Sequence, residues 1–308
     1  MDKNTHFLVC SPQRTLTALG NYPEHSPIWT DCIFCLIPFF CLKVVLLRKY
    51  YTVMLDWFRS KPKCPVDEST KSWIETRFSW LADQLGIERL QTGRTVLPTE
   101  EFLPLTYERT EDGIYDLMCR VATLMDVNPA TLNLGFYEDG TPQFEGVINS
   151  RSAGLYTQTG EKFDIWLEVH SLDNPASVIG TLSHEIGHVI LLGQDRISPD
   201  EPDHEELTDL LTVFMGLGIF PANSVVHESN WTDGQWSGWS VGKRGYMSMD
   251  MYGYAMSLYT LARDNPSPEW AVHLRPDVRA ALKRGVRYIE STQDCNFKPA
   301  TKFGRTRP

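Results

Sequence analysis

His184-Glu185-Ile186-Gly187-His188 constrains this chain more than any other stretch. It lies inside a run that reads as one long helix. Asn174 is a fitting cap, Pro175 suits the first helical position, and the apolar spacing continues to Gly193. On a helix the two histidines fall one turn apart on the same face. Two imidazoles so placed can reach one zinc ion. The glutamate after the first histidine then sits beside the open coordination position, where it can take a proton from a water polarised by the metal and pass it to a leaving amine. The flanking residues agree. Ser177, Gly180, Thr181, His184 and His188 share a face of small and polar residues, and Val178, Ile179, Leu182, Ile186, Val189 and Ile190 form the opposite, buried face. A solvent-facing stripe usually carries Lys, Glu and Gln; glycine, threonine and two histidines suit a close-packed metal cleft better.

Zinc takes a third protein ligand and leaves one position for water. The extension HExxHxxGxxH is not met, because Leu191 and Gln194 stand where glycine and histidine are needed. The next predicted helix, Asp203 to Gly216, offers Glu205-Glu206-Leu207-Thr208-Asp209, in which Glu205 and Asp209 share a face with Thr212 one turn on. Glu206 is a rival, about 100° round the helix and without a carboxylate one turn later. His204 is a further candidate, pointing elsewhere than its neighbour Glu205. Acids at a helix start also favour the dipole, which accounts for Asp203, Glu205 and Glu206 but not for Asp209.

Residues 177–216 resemble the gluzincin metallopeptidases, in which the HExxH helix is followed by a second helix bearing ExxxD. The resemblance implies a zincin-like fold, with Zn2+ held by His184, His188 and Glu205, Asp209 orienting a ligand histidine, and Glu185 as general base. Met54 to Phe297 as a whole resembles a bacterial family with the same motif, which adds little about substrate.

The remaining pattern predicts an α+β fold: a small, mostly antiparallel sheet between Leu132 and Val169 packed on the HExxH helix, followed by a helical C-terminal part. Helices are expected over Asp67 to Leu85, stopped by Gly86, and over Glu111 to Met125; strands over Leu132 to Tyr137 and Phe163 to Val169; and final helices over Met249 to Arg263 and Pro276 to Glu290. Thr95 to Pro98 reads as a short strand and Gly218 to Lys243 as loop. In peptidases of this type the edge strand before the HExxH helix pairs with an extended substrate, and Phe163 to Val169 is expected in that place. Tyr246 and His227 are candidates for a donor to the oxyanion that amide hydrolysis develops. Tyr252 and Tyr254 are candidates too, although aromatics at helical spacing also read as core. Trp231, Trp236 and Trp239 suit the rim of a groove or the cap of a core equally.

The first 53 residues differ from the rest. They hold four of the seven cysteines and three acids against five bases, and Ile28 to Leu47 is apolar at sixteen of twenty positions, broken by Asp31, Pro38 and Lys43. Three readings compete: an extension upstream of a natural start at Met54, a membrane anchor, and a folded segment. The domain of interest is therefore 54–308. An odd, irregular set of cysteines argues against a secreted disulfide scaffold, and Cys32-x-x-Cys35 has no second pair to make a metal site. A cytoplasmic location is expected, or membrane anchoring through residues 28–47. A net charge of −10 argues against nucleic acid or an anionic membrane surface as partner and leaves a peptide or protein substrate. The expected activity is zinc-dependent peptide hydrolysis. The alternatives are a non-catalytic metal-binding or interaction module and a zinc hydrolase of a non-peptide amide.

Overall fold

The computed structural model describes residues 62–103, 107–138, 154–224, 226–233, 236–243 and 247–298. The segment 1–53, with its apolar stretch and Cys32-x-x-Cys35, lies outside them, as does Tyr246. Residues 61–308 make up one unit, and it is α+β.

Helix α1 (Glu68–Leu85) begins where the Asp67 carboxylate accepts the Thr70 N–H at 3.0 Å and ends at Gly86, whose φ of 88° suits glycine. It buries Ile74, Phe78 and Leu81 at helical spacing. A short helix α2 (Ile87–Thr92) leads to α3 (Glu111–Leu124), capped by Thr110, which buries Ile114, Leu117, Met118 and Val121. Thr95 to Pro98 is not a strand: the Val96 N–H bonds the Gly216 carbonyl at 2.9 Å, one bond in place of a ladder.

Strands β1 (Leu132–Tyr137), β2 (Gly154–Thr159) and β3 (Lys162–Glu168) form a sheet in the order β1-β3-β2. This corrects the expectation of a mostly antiparallel sheet. β2 and β3 pair antiparallel across a tight turn at Gly160 and Glu161, but β1 runs parallel to β3, so the sheet is mixed. It also corrects the expected edge strand. β3 is paired on both sides, and among the described residues the outer strands β1 and β2 carry the open edges, β2 being the one that packs on the HExxH helix. The centre of the sheet suits β3 because Ile165 and Leu167 are fully buried.

Helix α4 (Pro175–His188) lies at the middle of the unit, touching α3, β2, β3 and the two helices that follow, α5 (His204–Phe214) and α6 (Ile219–Ser224). Asn174 caps it, accepting from the Ala176 and Ser177 N–H groups. It passes without a break into a π-helical turn, Val189–Gly193. Pro175–Gly193 is apolar enough to cross a membrane, yet 67% of that stretch is buried within the fold, as befits a core helix.

The stretch Gly218 to Lys243, expected as loop, instead holds α6 and a hairpin of β4 (Val226–Asp233) and β5 (Trp236–Lys243). Trp231, Trp236 and Trp239 occupy strands of that hairpin. Aromatic and β-branched residues suit strands, and the glycines that suggested a loop alternate with them. Helices α7 (Met249–Ala262) and α8 (Pro276–Thr292) pack against each other and complete the unit.

Candidate metal centre

The centre is assembled from two helices, α4 and α5, brought close by a glycine. A Cβ on Gly187 would lie 2.7 Å from Thr208 Cγ2, so the absence of a side chain at the fourth position of the motif lets α5 approach. Gly180 does the same two turns earlier, where a Cβ would sit 3.3 Å from the Pro221 nitrogen of α6. These contacts cover part of the small-residue face of α4: Gly180 and His188 are buried, and Ser177, Thr181 and His184 half-buried.

His184 and His188 present their rings at 4.8 Å and nearly perpendicular. Both Nε2 atoms turn to one oxygen of Glu205: His184 Nε2 stands 3.1 Å and His188 Nε2 3.3 Å from Oε2. The three side chains thus offer ligand atoms all within 4.8 Å of one another, a group able to hold a metal ion. Two imidazoles and a carboxylate are a donor set that suits zinc with one position left over.

The outer nitrogens are held as well. His184 Nδ1 is 2.9 Å from Asp209 Oδ1, and the other Asp209 oxygen accepts the Met247 N–H at 2.9 Å. His188 Nδ1 is 3.4 Å from Thr208 Oγ1, whose own proton goes to the His204 carbonyl at 2.7 Å. With that proton committed, the hydroxyl can only accept, which places the His188 proton on Nδ1 and leaves Nε2 free to ligate. The aspartate was expected here from the family resemblance; the threonine was not. Thr208 sits one residue before Asp209 in the same acidic run, and a hydroxyl one turn after His204 was the signal to follow.

Burial and these neighbours govern the charges. Burial pushes the Glu185 carboxyl up to about 7, with the His184 charge opposing and Glu205 assisting. Burial works against the ionised form of Glu205, but the two imidazoles beside it, His184 first, hold its carboxyl well below the usual range. His184, although burial opposes it, is drawn well above the ordinary imidazole value by Asp209 and Glu205. His188 is lowered, chiefly by burial. Glu185 is 4% exposed, lies on α4 between the two histidines and bonds to neither.

Glu206, the rival ligand, is not part of the cluster, whereas Glu205 is. His204 lies at its margin, Nδ1 3.9 Å from Glu205 Oε1 and its ring 6.0 Å from that of His188. Tyr252 is fully buried with its hydroxyl facing Asp209; burial and that carboxylate together raise its pKa well above 10. Tyr254 is fully buried and bonds Glu75 at 2.5 Å, so both tyrosines belong to the core. His227 lies on strand β4. Sequence reasoning passed over Tyr156. It stands on β2, 6.0 Å from the His188 ring and stacked on Phe163, and burial pushes its hydroxyl up to about 12. The run Tyr-Thr-Gln-Thr-Gly before Lys162 carries strand formers and a turn glycine and was the available signal.

No family model, curated protein or solved structure matches the chain.

Asp209→Asn is expected to weaken the binding of a divalent metal ion about 10–100-fold while the far-ultraviolet spectrum stays unchanged, because the amide keeps the Met247 contact but no longer carries the charge that orients His184. Competition with a chromophoric chelator measures this directly.

Proposed function

We propose that this chain is a zinc-dependent metallopeptidase of the gluzincin kind, with a zincin-like arrangement of sheet, HExxH helix and ExxxD helix. The observation that carries the reading is the convergence of His184 Nε2, His188 Nε2 and Glu205 Oε2, each Nδ1 being already engaged elsewhere. Two imidazoles satisfied on their outer side and aimed at a single carboxylate oxygen are poorly explained as packing.

A bound zinc ion supplies Lewis acidity, lowering the pKa of water and polarising a carbonyl oxygen. The chain's own residues do the rest. His184, His188 and Glu205 hold the ion, Asp209 and Thr208 fix the two rings, and Glu185 holds at its carboxylate the proton drawn from water and delivers it to the leaving nitrogen. Burial of Glu185 beside the histidines keeps its proton affinity close to neutral, which favours giving the proton back as well as taking it. An extended peptide has a place to lie along β2, whose outer edge is open among the described residues and which packs on α4. Tyr156 on that strand lines the approach to His188.

The test is metal analysis of the purified full-length protein, joined to digestion of a broad peptide library with and without a chelator. One zinc per chain is expected, with cleavage lost on chelation and restored by zinc. A protein that binds no divalent zinc under those conditions overturns the reading. So does a zinc-loaded protein that cleaves nothing, since that would leave a metal-binding module.

A further inference from the structure

The helix that carries Glu205 is anchored from outside the centre. Asp203 stands at the N-terminus of α5 but does not cap its own helix with its side chain. Instead its carboxylate accepts Arg77 Nε at 2.7 Å and Trp73 Nε1 at 2.6 Å on Oδ2, and Arg77 Nη2 at 2.6 Å on Oδ1. Arg77 Nη2 also reaches Glu201 Oε1 at 2.7 Å. The guanidinium lies 5.9 Å over the Trp80 ring, so Trp73, Arg77 and Trp80 make one cradle on α1. At the other end of α5, Phe214 meets Phe78 edge-on at 5.5 Å.

An aspartate at a helix start normally stabilises its own helix by accepting N–H groups of the first turn. Here that local bond is forgone for a two-point link to α1, which is distant in sequence. A fork-to-carboxylate pair fixes direction as well as distance. Together with the Phe78–Phe214 contact it leaves α5 little freedom to roll or slide. Glu205 is the residue whose direction that freedom would change, because it lies in the first turn, two residues after Asp203. A rotation of α5 by one residue would replace Glu205 with Glu206 at the histidines.

We propose that Arg77 and Trp73 are positioning residues of the metal centre, setting through Asp203 the rotation of α5 that aims Glu205 rather than Glu206 at His184 and His188. This rests on the metal reading of the His184–His188–Glu205 cluster.

The experiment uses the full chain stripped of metal, then titrated with zinc against a chromophoric chelator and with cobalt(II) by visible absorption. Arg77→Met and Arg77→Lys are expected to bind zinc about 10-fold more weakly, the lower end of the range for groups that orient a ligand, and to shift the cobalt bands. Lysine does not rescue because it cannot span both oxygens. Arg263→Met removes a comparable arginine anchor, one that bonds the Leu90 carbonyl at 2.8 Å away from α5, and is expected to leave affinity and spectrum unchanged. Should Arg77→Met fail to fold, Trp73→Phe decides the matter, since it deletes one of the three bonds to Asp203; a smaller shift of the cobalt bands in the same direction is expected. Wild-type affinity and spectrum in the Arg77 variants, or an equal loss in Arg263→Met, overturns the proposal while the metal reading stands. A wild-type protein that takes up neither ion removes the metal reading and this proposal with it.

Discussion

Glu185→Gln is expected to keep zinc at wild-type affinity and to lower peptide hydrolysis by about 100- to 10,000-fold, the range for removing a positioned general base. Glu205→Ala is expected to do the reverse first: zinc affinity falls by more than about 100-fold, beyond what loss of an outer-shell partner causes, and activity at limiting zinc falls with it. The contrast comes from where the two carboxylates point. Glu205 Oε2 lies 3.1 and 3.3 Å from the two Nε2 atoms, whereas Glu185 bonds neither histidine although it is buried between them. Glutamine preserves the shape of Glu185 and cannot hold the proton. Glu206→Ala serves as the matched control, and its zinc affinity should equal wild type. Calorimetric titration with zinc and initial-rate assays on a quenched fluorescent peptide separate the outcomes. Zinc loss in Glu185→Gln would make that residue a ligand, and full activity would remove it from the chemistry. Zinc loss in Glu206→Ala, with Glu205→Ala unaffected, would assign the third ligand to the wrong face of α5.

Much of this centre was legible because helical geometry converts spacing into contact. His184 and His188 must share a face, as must Glu205 and Asp209, and the small residues between them announce close packing. The choice of Glu205 over Glu206 rested on a family resemblance and on the paired Asp209, and the geometry places Glu205 Oε2 at the histidines. Thr208 escaped notice because its role depends on a hydroxyl proton engaged by the His204 carbonyl, a relation no spacing rule encodes. Tyr156 escaped because its strand was not recognised. β2 lacks clean alternation, and its position follows from pairing with β3 rather than from its own composition.

The sheet shows the limit of local reasoning more clearly. Alternation along Leu132–Tyr137 and Lys162–Glu168 identifies both strands, but direction and order depend on which partner each finds. The turn at Gly160 commits β2 and β3 to antiparallel pairing, and β1 then takes the free side of β3 in parallel. Gly135 helps, since a Cβ there would lie 2.5 Å from the Trp166 ring opposite, so the ring can lie flat across the strand. The hairpin Val226–Lys243 was masked by glycines and serines that weaken any strand signal while tolerating the pairing.

Away from the metal centre, Glu75→Ala is expected to lower unfolding free energy by about 3–5 kcal/mol, the cost of two buried donors that lose their acceptor, at about 1–3 kcal/mol each, together with a weaker hold on Lys71. Glu75 is fully buried on α1 and joins three parts of the chain. Its Oε1 accepts the Tyr254 hydroxyl of α7 at 2.5 Å, its Oε2 accepts the Asn296 N–H of the C-terminal segment at 2.8 Å, and Lys71 Nζ lies 3.8 Å away. Lys71 is only 1% exposed, and its remaining partners, Asp294 at 3.0 Å and Glu68 at 3.3 Å, are 50% and 79% exposed, where water screens them. Alanine therefore leaves the Tyr254 hydroxyl and the Asn296 N–H without their acceptor and leaves Lys71 to its two exposed partners. For a unit of this size each kcal/mol shifts Tm by about 2–4 °C, so a fall of roughly 6–20 °C is expected. Glu68→Ala, on the same helix but exposed, should cost less than about 1 kcal/mol. Replacing both buried charges, Lys71→Met with Glu75→Leu, should recover only part of the loss, because the buried ammonium is removed while the Tyr254 hydroxyl and the Asn296 N–H still lack their acceptor. Urea denaturation of the metal-free protein distinguishes these cases. A loss below about 1 kcal/mol in Glu75→Ala would mean that water reaches the cluster and that the three segments are joined by packing alone.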